Sequence, residues 1–146
     1  MNKSVKLICF LIIGALLVLP VSAESATPYS SAFFGSTDSF IDMVGETDFE
    51  VWFDVVSAGT MEELGTVTIK VLRSADGENW VTAKTFSSDH YVQMIQYNTC
   101  GVYDCVSYSA YADYYYKAYV IYYAKNSRGT GYMPEYSETI YIPPFS

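Results

Sequence analysis

The side chains best suited to chemistry in this chain are aromatic and lie in one run near its C-terminus. Tyr115, Tyr119 and Tyr123 recur at every fourth position, with Lys117 between the first two. If the run is a strand, all four side chains project from one face, because the side-chain period of a strand is two. Tyrosine offers rigid, amphipathic contact area, so this row predicts a surface that stacks on sugar rings or anchors a protein. The β-propensity of tyrosine explains the same residues without a ligand, and both interpretations stay open.

An acidic row is the second candidate site. Asp48, Glu50 and Asp54 share one face of a predicted strand, where alternate residues lie roughly 6.6 Å apart. Calcium takes six to eight oxygen ligands and usually binds in a compact loop. The row is therefore only a weak calcium candidate, and a solvated face or an edge protected from aggregation explains it more simply. We predict no other metal and no cofactor.

His90 is the single histidine of the chain and follows Ser88 and Asp89. Adjacent residues of a strand or turn point to different sides, so these three do not form a catalytic triad by proximity. Nothing in the sequence resembles a nucleophile elbow or an oxyanion loop. We therefore expect a protein that is not an enzyme, with a small hydrolase or secreted effector as the remote alternative.

The N-terminal segment has the form of a secretory signal peptide. Two lysines precede the apolar run Leu7–Leu19, and Val21 and Ala23 supply the small residues of a cleavage site. A membrane anchor is the alternative. A spanning helix needs about 20 apolar residues, and this run is shorter and ends at Pro20, so the signal peptide is favoured.

Cleavage would divide the chain into a signal peptide at 1–23 and a single secreted domain at 24–146. That domain would carry sixteen acidic residues against six basic ones. Such an acidic surface argues against nucleic acid as a partner, because phosphates would be repelled. No second apolar span is present, so we predict an extracellular protein with no membrane span after cleavage.

Cys100 and Cys105 are the two cysteines of the predicted secreted domain. Export would place them in an oxidising compartment, where a nearby pair is usually a disulfide. We expect this bond to close a short loop at the tip of a hairpin. A redox or metal site is the alternative, but the spacing is not C-x-x-C, and two thiols with one distant histidine do not make a zinc set.

The elements that must position these residues are predicted to be strands. Apolar and polar residues alternate over 48–55 and again over 67–71, which indicates strands with one buried face. A turn with an Asp-Gly pair separates the second of these from a partner strand at 80–86. Further strands are predicted in five segments: 29–43, 91–97, 106–111, 114–125 and 139–142.

Two segments need a choice between helix and strand. The spacing of tyrosines in 114–125 also suits a helix face, but the aromatic and β-branched content and the glycine-rich turn that follows favour a strand. Its inner face would carry Tyr116, Ala118, Val120, Tyr122 and Ala124. The segment 60–64 begins with the capping-box pattern T-M-E-E and is followed by Gly65, which predicts one short helical turn.

Several motifs resemble known domains. The run Tyr116–Ala124, followed by K-N-S-R-G-T-G at 125–131, resembles the sixth strand and following turn of fibronectin type III domains. The pattern S-x-D-G-x-x-W at 74–80 resembles a hairpin of bacterial domains of that kind. With T-M-E-E-L-G at 60–65, these motifs resemble a family of small secreted single-domain bacterial proteins of unknown function. The resemblance implies a fibronectin-III-like or immunoglobulin-like antiparallel β-sandwich of about seven or eight strands.

The resemblance implies no activity, so the functional prediction depends on the residues. We expect a secreted, non-enzymatic binding or adhesion module that uses the tyrosine-rich face on an unknown protein or glycan. The alternative is a structural extracellular subunit that self-associates, since exposed aromatic residues on a sheet also favour contact between copies.

Overall fold

The described part of the chain folds as one antiparallel sheet of seven strands. The computed structural model describes residues 32–145, so the signal peptide predicted at 1–23 lies outside the described residues. The strands are β1 (Phe34–Met43), β2 (Asp48–Ser74), β3 (Val81–Ser87), β4 (Ile95–Ser109), β5 (Tyr114–Asn126), β6 (Gly129–Tyr136) and β7 (Ile140–Ile142). The prediction of an all-β, antiparallel fold with seven or eight strands is confirmed.

Strand β2 is 27 residues long and changes its neighbours midway. Its first half lies between β1 and β4, so that Val55 is opposite Thr37 on one side and Val102 on the other. Its second half pairs with β5 on one side, and on the other side first with the start of β4 and then with β3. We call β1, the first half of β2 (residues 48–60) and β4 the first sub-sheet. The second half of β2 with β3, β5, β6 and β7 forms the second sub-sheet, in which β6 and β7 pair with β5.

The core lies between the two sub-sheets because the sheet curls over its own inner face. The first half of β2 contributes every second residue to the core, and these side chains are fully buried: Phe49, Val51, Phe53 and Val55. Facing them are the fully buried residues of β5: Tyr116, Ala118, Val120, Tyr122 and Ala124. The strand prediction for 114–125, with these five residues inside, is therefore confirmed. Burial of each large apolar side chain contributes roughly 1.5–3 kcal/mol.

The helical turn predicted near 60–64 is wrong, because this segment continues β2. Glu63 is paired with Tyr97 of β4 on one side and with Lys125 of β5 on the other. Backbone pairing on both sides outweighs a local capping signal. Gly65 has φ +149°, and a Cβ there would lie 1.9 Å from the carbonyl oxygen of Met94. Gly65 thus permits a close approach of two backbones and does not cap a helix.

Helical structure is nearly absent from residues 32–145. The only such element in that range is the 3₁₀ turn Val92–Met94, which joins β3 to β4. Among the same residues, no helix is long and apolar enough to cross a membrane.

The predicted cysteine hairpin is also wrong. Cys100 and Cys105 both lie on β4, which is one continuous strand, and both are free thiols. Five residues of extended chain separate their Cα atoms by roughly 16 Å, whereas a disulfide needs Cα atoms within about 7 Å. Pairing with β2 holds β4 extended, so closeness in sequence does not become closeness in space.

Candidate functional site: the tyrosine ladder

The outer face of β5 carries the residues that the sequence singles out for binding. Because the residues at even positions from 116 to 124 point into the core, Tyr115, Lys117, Tyr119 and Tyr123 project from the opposite face. All four side chains are half-buried. The packing of the core thus determines where these side chains stand.

Each of the three tyrosines contacts a second tyrosine on the neighbouring strand. The ring centroids are 4.7 Å apart for Tyr115 and Tyr141, 4.8 Å for Tyr119 and Tyr136, and 5.4 Å for Tyr123 and Tyr132. We call these three cross-strand pairs the tyrosine ladder. Between its ends the ladder extends about 26 Å, since eight residues of strand separate Tyr115 from Tyr123.

Lys117 lies within the ladder and contacts aromatic rings on two sides. Its Nζ is 4.2 Å from the ring centroid of Trp80 and 5.0 Å from that of Tyr136. Both distances are in the range of a cation–π interaction. The ammonium group is therefore held beside Trp80 and Tyr136, where it can also donate hydrogen bonds to a ligand.

An open groove of about 480 Å³ adjoins the end of the ladder formed by Tyr123 and Tyr132. Tyr97, Glu63 and Asp89 also line it. Its volume is within the range of small-ligand sites, and it combines aromatic rings with carboxylates. The groove therefore extends the ladder with a concave, polar surface.

Hydrogen bonds fix the side chains at this end of the ladder. Glu63 accepts hydrogen bonds from Lys125 Nζ at 2.8 Å and from the Tyr123 hydroxyl at 3.1 Å. The bond from Lys125 is the main cause that lowers the pKa of Glu63. Burial, followed by the contact with Glu63, raises the pKa of the Tyr123 hydroxyl. Glu63 is thus ionised at neutral pH, and Tyr123 keeps its proton and acts as a donor.

Two ladder members remain well exposed. Tyr136 keeps 58% of its surface and Tyr141 keeps 45%. Cross-strand aromatic pairs also stabilise a sheet, by roughly 0.2–1 kcal/mol each, and the contacts alone do not require a ligand. The exposed rings, however, leave an aromatic surface that is available from solvent.

Three of the six ladder tyrosines were not identified from the sequence. Tyr132 and Tyr136 belong to β6, which was not predicted, and Tyr141 belongs to β7. The sequence signal for β6 is the two-residue turn Ser127-Arg128. This turn joins Asn126 to Gly129 and sets the register of the hairpin formed by β5 and β6.

The acidic row does not converge on a metal site. Asp48, Glu50 and Asp54 extend along the first half of β2 on the outer face of the first sub-sheet. Within residues 32–145, no group of three or more His, Cys, Asp or Glu side chains is placed to hold a metal ion. Carboxylates spaced along a single strand are too far apart to surround one cation. His90 is exposed in the turn after β3.

No protein-family model matches this chain, and no curated protein shows significant similarity to it.

Proposed function

We propose that this protein is a secreted, non-enzymatic binding module that holds a glycan chain against the tyrosine ladder. The observation that carries the proposal is the alignment of three tyrosine pairs along about 26 Å of one sheet face. Sugar rings present apolar C–H faces that suit aromatic rings, and their hydroxyls suit nearby polar side chains. Lys117 in the ladder and Glu63 in the groove supply such partners.

Export is part of this proposal. The chain begins with a segment of signal-peptide form, and its formal net charge of −8 is compatible with an extracellular setting. An acidic protein repels other polyanions, so the proposed ligand is a neutral or weakly charged glycan.

We also propose that the domain is a β-sandwich of the fibronectin type III or immunoglobulin-like class. In constant-type immunoglobulin domains the first, second, fourth and fifth strands form one sheet, and the third, sixth and seventh form the other. If the halves of β2 are counted as the second and third strands, the two sub-sheets follow this division except at the fourth strand, β3, which pairs with the second half of β2.

A tyrosine corner supports the same classification. Tyr116 stands near the start of β5, and its hydroxyl accepts a hydrogen bond from the backbone N–H of Tyr111 at 2.9 Å. The same hydroxyl donates to the Tyr111 carbonyl at 3.2 Å. A tyrosine in this position, bonded to backbone a few residues upstream, is a hallmark of immunoglobulin-like sandwiches.

An array of purified cell-surface and cell-wall polysaccharides tests the proposed function. The protein should bind a subset of them saturably and remain a monomer in light scattering. If a folded monomer binds no glycan on the array, the proposal is wrong. A mass that rises with protein concentration would instead support the self-associating subunit.

A further inference from the structure

A second aromatic cluster lies on the outer face of the first sub-sheet, away from the tyrosine ladder. Phe40 of β1 is directly opposite Trp52 of β2, with ring centroids 6.2 Å apart and planes within 9° of parallel. Trp52 also stacks on Tyr103 of β4 at 4.8 Å. Phe40 is 37% exposed and Tyr103 is 58% exposed. We call these three side chains the aromatic stack.

Carboxylates flank the aromatic stack on both sides. Asp42 is directly opposite Glu50 in the register of β1 and β2, and Asp38 is directly opposite Asp54. Like charges directly opposite each other destabilise a sheet. Two such pairs lie one on each side of the same aromatic row.

Among the described residues, the basic side chains lie away from the sub-sheet that carries the aromatic stack. The first sub-sheet and the turn between its first two strands contain seven acidic residues and no lysine or arginine. All six described basic residues lie in the second sub-sheet or its turns: Lys70, Arg73, Lys84, Lys117, Lys125 and Arg128. The flanking carboxylates are therefore not neutralised from within their own sub-sheet.

We propose that this face docks a cationic segment of another protein, with arginine or lysine side chains over the aromatic stack. A guanidinium or ammonium group over an aromatic face gains a cation–π interaction, and the carboxylates on each side supply charge-assisted hydrogen bonds. The opposed carboxylate pairs are unfavourable in the free protein and become favourable when a cation lies between them. Charge complementarity thus selects a basic partner and excludes nucleic acid and anionic glycans. The inference is independent of the tyrosine ladder.

Octa-arginine is the probe, and Trp52 is the reporter. A Trp80→Phe substitution leaves Trp52 as the sole tryptophan, so a change in emission on titration reports events at the stack. An uncharged peptide of the same length serves as the negative control. Titrations at physiological ionic strength suppress the non-specific attraction of exposed charges.

Three variants in this background separate specific docking from general attraction. Asp42→Asn/Glu50→Gln removes one carboxylate pair, and Tyr103→Ala opens the stack. Glu62→Gln/Glu78→Gln removes the same charge from exposed sites in the second sub-sheet and its turns.

The proposal predicts that octa-arginine binds the first two variants at least about tenfold more weakly, a loss of roughly 1.4 kcal/mol in binding free energy. Its affinity for the third variant should be unchanged. The carboxylate variant should also melt at the same or a higher temperature, because its like-charge repulsion is gone. Equal weakening by the Glu62→Gln/Glu78→Gln control, or no saturable change in Trp52 emission, would overturn the proposal.

Discussion

The rings of Phe49 and Tyr116 meet edge to face across the core, with their centroids 5.4 Å apart. Phe49 belongs to the first sub-sheet and Tyr116 to the second, so the contact joins the two across the core. It also fixes which face of β5 points inward. Since Tyr116 is inside, Tyr115 must be outside, and the tyrosine ladder follows from this packing.

Replacing Phe49 by alanine should lower the free energy of unfolding by about 3–5 kcal/mol, because the ring is fully buried and leaves a cavity. Urea unfolding followed by circular dichroism measures the change. Phe40→Ala is the matched control on the outer face and should cost about 1 kcal/mol or less. Similar losses in both variants would contradict the assignment of inner and outer faces.

Removing the hydroxyl of Tyr116 should destabilise the fold, because this hydroxyl makes two hydrogen bonds to the Tyr111 backbone. Tyr116→Phe removes both hydrogen bonds to the Tyr111 backbone, which should cost roughly 0.5–1.5 kcal/mol. Tyr141→Phe is the control, because its hydroxyl bonds to Asp113 on the exposed surface and should matter by no more than about 0.5 kcal/mol. Thermal melting of both variants measures the two losses. Equal stability of the two variants would show that the hydrogen bonds of the Tyr116 hydroxyl do not stabilise the fold.

Asp76 should make stability depend on pH in the acid range. Hydrogen bonds from Asn79, Glu78 and Ser74 hold its pKa far below the usual value, with the backbone N–H of Asn79 the largest cause. A carboxyl whose pKa is lowered in the folded state stabilises it above the unfolded pKa of about 4, and this contribution is lost as pH falls further.

The test is thermal melting of Asp76→Asn and the native protein between neutral pH and about pH 2. The variant should be less stable at neutral pH, and the difference should shrink as pH falls below about 4. Glu78→Gln, at a neighbouring exposed site, should leave the profile unchanged. A difference that is constant across the range would refute the role of the Asp76 carboxylate.

Cys100 and Cys105 should react at different rates and remain unpaired. Burial raises the pKa of the Cys105 thiol to about 11, with Glu50 and Asp104 adding to the effect, whereas Cys100 is exposed. Iodoacetamide should therefore modify Cys100 in the native protein and reach Cys105 mainly after unfolding. Peptide mapping by mass spectrometry reads out both sites. A disulfide-linked peptide, or equal labelling of the native protein, would disagree with the structure.

Local periodicity in the sequence was enough to predict which residues of a strand face the core. It was not enough to predict which distant strands pair. Alternation correctly predicted the inner face of β5 and the first half of β2, because burial of one face imposes a period of two. The prediction of a helical turn near 60–64 was wrong because the Glu63 backbone pairs with a strand on each side. The prediction of a cysteine hairpin was wrong because β4 pairs along its length with β2, a contact between distant parts of the chain.

The candidate site was likewise predicted only in part from the sequence. The spacing of residues alone predicted the three ladder tyrosines on β5, whereas Tyr132 and Tyr136 could be identified only if β6 had been predicted as a strand. Pro134 and the glycines at its start weakened the strand pattern there, although proline is compatible with an edge strand. Once the two-residue turn is known, pairing of Tyr123 with Tyr132 and of Tyr119 with Tyr136 follows from the register.

The most direct test of the central claim compares two tyrosines of equal exposure on different faces. Tyr136 of the ladder and Tyr103 of the aromatic stack are both 58% exposed. Calorimetry with the tightest glycan from the array should show that Tyr136→Ala binds at least about tenfold more weakly, a loss of roughly 1.4 kcal/mol. Tyr103→Ala should bind as the native protein does, and both variants should melt cooperatively. Unchanged affinity in Tyr136→Ala, or equal losses in both variants, would contradict the assignment of the tyrosine ladder as the glycan-binding surface.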